Sequence, residues 1–164
     1  ISLRLVGSEM CIRDSVINVQ GDEPLIDIEA VNQLGDFMHA NKYKYGTIAQ
    51  HFSSNTDLLD PNKVKVVLND DNSAIEFFRD APIVVKDLSK VVLHHVGIYA
   101  YQVDFLHTFA GLSKTKNELN LKLEQMRALD NALPLHVLEL NLDESWGIDT
   151  EEDLIRLRKH LELN

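Results

Sequence analysis

Cysteine is almost missing from this chain of 164 residues, with Cys11 the sole example. A disulfide framework within the chain is thereby excluded, and such sparing use of cysteine fits a reducing, cytoplasmic setting. Basic residues are also scarce, 16 Lys and Arg against 26 Asp and Glu, which leaves a formal net charge of -10. That balance argues against nucleic acid as the main partner, because phosphate backbones are held by net basic surfaces. A nucleotide stays within reach of an acidic chain wherever a metal ion or a local cluster of Arg and Lys offsets the charge. No apolar run approaches the roughly 18 residues that a membrane-crossing helix needs. Repeats, low-complexity tracts and linkers are absent as well.

What is present is enough apolar content, 45%, for a real core in one ordinary domain or part of one. Residues 1–15 have neither helical nor strand periodicity, lack the charged start and long apolar stretch of a signal peptide, and resemble translated adapter sequence. We expect them to be a leader foreign to the fold, and residues 16–164 to be the carboxyl-terminal portion of a single domain. From residue 16 onward strand-like and helix-like segments alternate. Val16, Ile17 and Val19 form an apolar run stopped by Gly21 and Pro24, so a strand should end there and deliver Gln20 and Asp22 to its carboxyl end. Open α/β sheets place their ligand crevice at such strand ends. Helical spacing marks 28–40 and 117–132, and a last helix follows Thr150, which has Asp153 three residues on as an approximate capping box. Strands are predicted at 46–52, 63–69, 73–79, 90–101 and 135–141, with a turn at 69–72 and a short helix around Phe105. The pattern predicts an α/β fold: a mixed, mostly parallel sheet with helices on both faces.

Two carboxylates stand out. Asp22 ends the first strand, and Asp149 lies in a Gly147-Ile148-Asp149-Thr150 turn before the last helix. Carboxylates at strand ends can meet across one crevice, and a pair of hard oxygen ligands is how Mg²⁺ is held beside substrate phosphates. Alternatively, Asp22 caps a turn and Asp149 favours a helix start through the dipole.

The blocks NVQGDEPLI, HHVGIYAYQVDFL, LEQMRAL and GIDTEEDLIRLR occur in an order and spacing that resemble the 3-deoxy-manno-octulosonate cytidylyltransferases, the CMP-Kdo synthetases of lipopolysaccharide assembly. The likeness runs over residues 16–162. It implies a nucleotide-diphospho-sugar transferase-like fold, CTP and 3-deoxy-manno-octulosonate as substrates, Mg²⁺ as cofactor, and a cytoplasmic homodimer. Residue by residue it implies that Asp22 and Asp149 hold Mg²⁺. It also implies that Gln20, Arg79, His95, Tyr99, Glu124 and Gln125 line the sugar-acid pocket. A planar guanidinium suits the sugar's carboxylate, and the other side chains would read its hydroxyls through directional hydrogen bonds. Each keeps an alternative: Arg79 paired with Asp80, Tyr99 as a core residue, Glu124 paired with Arg127 three residues on. By period two, His95 shares a strand face with Gly97 and Tyr99, whereas His94 points the other way.

Departures from the family pattern are also legible. The family's Gly-rich loop bearing Arg and Lys, which cradles the triphosphate, has no counterpart near Gly7. Phe78 stands where relatives tend to carry Ser, and Leu121 where many carry an acid. The expected activity is therefore CTP-dependent activation of 3-deoxy-manno-octulosonate, with this truncated chain itself inactive. The alternatives are a non-catalytic sugar-acid-binding or dimerisation module, and a variant substrate such as the 8-amino sugar acid.

Overall fold

The structure is a computed structural model and describes residues 15–21, 24–52, 54–80, 91–142, 148 and 150–162. Within them the order is β1 (Ser15–Val19), α1 (Ile28–Asn41), β2 (Tyr45–Gln50), α2 (Asn55–Leu59), β3 (Lys65–Leu68), β4 (Ala74–Phe78), β5 (Val92–Gln102), α3 (Val103–Ala110), α4 (Lys116–Leu121), α5 (Met126–Asp130), β6 (His136–Glu139) and α6 (Glu151–Glu162). The alternation read from apolar spacing is the alternation that forms.

The strands make one sheet in the order β4-β3-β5-β2-β6, and β1 pairs with β5 beside that path. The long strand β5 is its centre. β2 lies along one edge of β5, while β1 and β3 share the other edge at its two ends. β1 pairs with Ile98 to Gln102 and β3 with Val92 to His94, which leaves Val96 and Gly97 in a notch between them. The mixed sheet with helices on both faces is as expected, but its balance is not mostly parallel among the described strands. Only β2–β6 is parallel, whereas β1–β5, β2–β5, β3–β4 and β3–β5 are antiparallel. The reason is twofold: β5 runs against each of its three neighbours, and the tight turn at 69–72 can join β3 to β4 only as a hairpin.

Alternation along β5 splits the core in two. Leu93, Tyr99 and Tyr101 face Tyr45 and Ala49 of β2, and are covered by Phe105 and Phe109 of α3 and by Met126 and Ala128 of α5. Val96, Ile98 and Ala100 face the other way and pack with Ile48 against Ala30, Leu34 and Met38 of α1. α1 begins at Asp27, whose carboxylate accepts from the Glu29 amide at 2.8 Å, and stops at Lys42, which adopts φ 56°. The expected capping box opens α6: the Thr150 hydroxyl accepts from the Asp153 amide at 3.2 Å, and the Asp153 carboxylate accepts from the Thr150 amide at 3.0 Å.

One predicted element is corrected. The stripe over 117–132 predicts a single helix, yet Lys122 takes φ 56° and divides it into α4 and α5, with Leu119 left exposed. The break lets Glu118 reach Arg127. In an unbroken helix nine residues would separate them by about 13.5 Å along the axis, too far for the ion pair they make.

Candidate functional site

The notch in the edge of β5 gathers Gln20, His95 and Tyr99, and Tyr99 reaches on to Gln125. Gln20 follows β1 directly, and its side chain lies over Gly97: a Cβ on Gly97 would stand 3.5 Å from Gln20 Cδ. Gln20 therefore shares the face of β5 that carries His95 and Tyr99, whose rings sit 5.4 Å apart. Both rings are buried.

His95 is held from behind. Thr47 of β2 is fully buried, and its hydroxyl lies 2.7 Å from the Ile98 carbonyl and 3.0 Å from His95 Nε2. A carbonyl only accepts, so the single hydroxyl proton goes to Ile98 and His95 Nε2–H donates to Thr47. This assigns the neutral tautomer with the lone pair on Nδ1. Burial, reinforced by neighbouring His94, pushes the His95 pKa down to about 3, so the ring stays uncharged at neutral pH. Phe77 of β4 stands edge-on to it at 5.1 Å.

Tyr99 donates its hydroxyl to Gln125 Oε1 at 3.2 Å. Burial first, then the nearby Tyr101 hydroxyl and the Glu124 carboxylate, hold Tyr99 protonated by raising its pKa. Gln125 is itself buried, and among the described residues its Nε2 finds no hydrogen-bond acceptor. An unmet buried N–H of this kind costs about 1–3 kcal/mol, and an incoming acceptor would relieve it. Glu124, the preceding residue, is exposed. Arg79, just beyond β4, donates Nε to the Leu121 carbonyl at 3.1 Å, which ties the end of β4 to the end of α4. The α4–α5 corner thus brings Gln125 onto the Tyr99 hydroxyl and the Glu124 carboxylate near it, while Arg79 is tied to the end of α4.

Asp22 and Asp149 lie outside the described residues. Among the described residues no group of three or more His, Cys, Asp or Glu is arranged to hold a metal ion.

Sequence reasoning missed Thr47, Lys65 and Glu118, and reached Arg127 only as an alternative partner for Glu124. Lys65, expected only as one polar position of an alternating strand, is fully buried and donates to the carbonyls of Asp60 and, at 2.6 Å, Arg79. Arg127 does not use Glu124 as its partner in the observed ion pair. It makes a two-pronged pair with Glu118, Nε to Oε2 at 2.8 Å and Nη2 to Oε1. The signal for Glu118 was Thr115-Lys116-Asn117-Glu118, a capping box that the structure forms.

The mixed sheet with helices on both faces has the nucleotide-diphospho-sugar transferase fold, and the notch in its central strand collects the Gln20 side chain, the His95 ring and the Tyr99 hydroxyl. The family model described as cytidylyltransferase matches residues 7–138, and the chain belongs to that family. It is 38% identical over 161 residues to the 3-deoxy-manno-octulosonate cytidylyltransferase of Trichlorobacter lovleyi, covering 90% of this chain and 64% of the relative. Against the protein of the same name from Thermodesulfovibrio yellowstonii it is 41% identical over 146 residues, 85% of this chain and 57% of the relative. For Neisseria meningitidis the figures are 38% over 154 residues, 87% and 60%. The chain thus spans about three-fifths of the length of these curated relatives. A solved CMP:2-keto-3-deoxy-manno-octonic acid synthetase complexed with CTP superposes with a TM-score of 0.80 at 30% identity, over 92% of this chain and 62% of that one. A 4-diphosphocytidyl-2C-methyl-D-erythritol synthase from Anaerococcus prevotii shares the fold alone, with a TM-score of 0.51 at 15% identity over 91% of this chain and 59% of its own.

Proposed function

We propose that this chain carries the sugar-acid side of a CMP-Kdo synthetase: the anomeric hydroxyl of 3-deoxy-manno-octulosonate attacks the α-phosphorus of CTP. The new bond joins sugar oxygen to that phosphorus, the bond to the bridging oxygen of the β-phosphate breaks, and pyrophosphate leaves as the hydroxyl proton passes to solvent. The observation that carries the reading is Gln125 beside the Tyr99 hydroxyl, with an Nε2 that finds no acceptor among the described residues. A polyhydroxylated acid supplies the acceptor it lacks. His95 offers a lone pair at Nδ1 to a sugar hydroxyl, Gln20 closes the notch, and Arg79 suits the carboxylate. Tyr99 and His95, both neutral, orient and exclude water and do not ferry protons.

Asp22 and Asp149 supply two hard carboxylate donors that fit Mg²⁺ by type. Held there, Mg²⁺ would supply charge neutralisation at the phosphoryl oxygens. The native assembly on this reading is a cytoplasmic homodimer serving lipopolysaccharide synthesis. Among the described residues no helix is long and apolar enough to cross a membrane.

The test extends the chain to the length of its curated relatives, supplies CTP, Mg²⁺ and 3-deoxy-manno-octulosonate singly and together, and measures pyrophosphate. Release is expected only with all three, and is lost in Asp149→Asn; parent-level release by that variant would remove Asp149 from the metal. Calorimetric titration with the sugar acid alone is expected to show binding that Gln125→Leu weakens about tenfold, the worth of roughly one buried hydrogen bond. Binding without any pyrophosphate release would instead describe a sugar-acid-binding module.

A further inference from the structure

We propose that Glu118 and Arg127 are positioning residues, acting as a staple that fixes the carboxamide of Gln125 in the sugar-acid site; the ligand named here rests on the preceding reading. The two side chains close the base of a corner whose apex carries Glu124 and Gln125. The corner is wound tightly: Leu123 N donates to Glu118 O at 3.3 Å, Met126 N to Leu123 O at 3.1 Å, and Arg127 N to Glu124 O at 3.0 Å. Across its base the Arg127 guanidinium meets both oxygens of Glu118, and both residues are buried.

Each partner is also tied to a different helix. Glu118 Oε2 accepts from the Thr115 amide at 3.3 Å at the start of α4, while the Arg127 guanidinium lies 4.9 Å above the Phe109 ring of α3. Phe109 in turn packs against Tyr45 and Tyr101, and Tyr101 against Tyr99. The staple therefore fixes α3, α4 and α5 relative to one another and to the tyrosine that holds Gln125.

Stability alone does not account for it. A buried ion pair gains little over well-packed apolar residues of similar volume, because desolvating two charges offsets their attraction. A planar fork adds what an apolar pair lacks, which is direction. Two residues from Arg127 stands Gln125, a buried donor without an acceptor among the described residues. A donor left unmet before the ligand arrives must be held by its surroundings, and the corner closed by the staple supplies them.

The experiment compares the parent chain with Arg127→Met, Arg127→Lys and the double variant Glu118→Met with Arg127→Met. Two readouts are taken besides the melting temperature: the side-chain amide NMR signals of Gln125, assigned with Gln125→Leu, and calorimetric affinity for 3-deoxy-manno-octulosonate. Arg127→Met strands a buried carboxylate and should melt several degrees lower, whereas the double variant should recover most of that loss, short of the capping box that Glu118 makes with Thr115. Despite that recovery its Gln125 signals should broaden or average, and its affinity for the sugar acid should stay at least tenfold weaker. Arg127→Lys, which keeps the charge and loses the fork, should show the same disturbed signals. Parent-like Gln125 signals in the double variant would overturn the proposal and leave the pair a purely structural element. If the parent fails to bind the sugar acid while its Gln125 signals still depend on the staple, the ligand assignment falls and the positioning role stands.

Discussion

His95 is buried, with its one N–H turned to Thr47, and the burial makes it a source of acid sensitivity. Its pKa is held to about 3 in the fold by burial, against about 6.5 in the unfolded chain. As pH falls through 6.5 the unfolded chain takes up a proton that the native ring refuses until about 3. Stability that is complete above 6.5 is lost progressively across that window, by up to about 1.4 kcal/mol per pH unit. Urea midpoints at pH 7 and pH 5 should therefore show the parent losing about 2 kcal/mol more than His95→Asn. An equal loss in both would place the acid sensitivity in other groups. The same residue shows how far a sequence can be read: period two put His95, Gly97 and Tyr99 on one face, and the fold keeps them there. Thr47 was not legible, because its partner lies 48 positions away and a threonine in an apolar strand announces nothing. The alternative that paired Glu124 with Arg127 is not the ion pair that forms, for the complementary reason: local spacing offered Glu124, while the chain folds back to offer Glu118.

At the scale of elements, the ends of α1 show where local rules and packing meet. Lys42 closes the helix at φ 56°, donating its amide to the His39 carbonyl at 3.3 Å. That left-handed conformation costs an L-residue about 1–2 kcal/mol and costs glycine little. Lys42→Gly should therefore stabilise the protein by about 0.5–1 kcal/mol after the greater unfolded-state freedom of glycine is deducted, raising the melting temperature by about 2–3 °C. A lower melting temperature would show that the lysine side chain contributes packing of its own. Four residues on, the sign reverses. A Cβ on Gly46 would collide with Met38 Sδ and reach within 3.5 Å of Leu34, so Gly46→Ala should cost about 1–3 kcal/mol by overpacking. The helices α1, α3 and α6 were legible because one face of each is buried, so apolar spacing tracks the backbone period, and β2 and β5 because their runs are apolar on both faces. The corner at 122–125 was not. Leu123, Met126 and Leu129 remain on the core side of the break, so the apolar stripe continues through a backbone that does not.

For the whole molecule, the two cores are distinct in composition and joined by the strands between them. Ile48 belongs to the core under α1 and Ala49, its neighbour in β2, to the core under α3 and α5. The same alternation holds for Ile98 and Tyr99 in β5. Loss of either helical layer would expose one face of β2 and β5, and both faces of these strands carry apolar side chains whose burial holds them in place. The two halves should consequently unfold together. Leu34→Ala, made beneath α1, removes a fully buried side chain and should cost about 3 kcal/mol. Although Leu34 belongs to the α1 core, the loss should appear equally in the near-ultraviolet signal of the Tyr45, Tyr99 and Tyr101 cluster on the opposite face. The expected record is one transition, shifted down by about 6–12 °C, with tyrosine and far-ultraviolet signals coincident. A tyrosine signal that keeps the parent midpoint while helix content melts early would show that the sheet does not couple its faces.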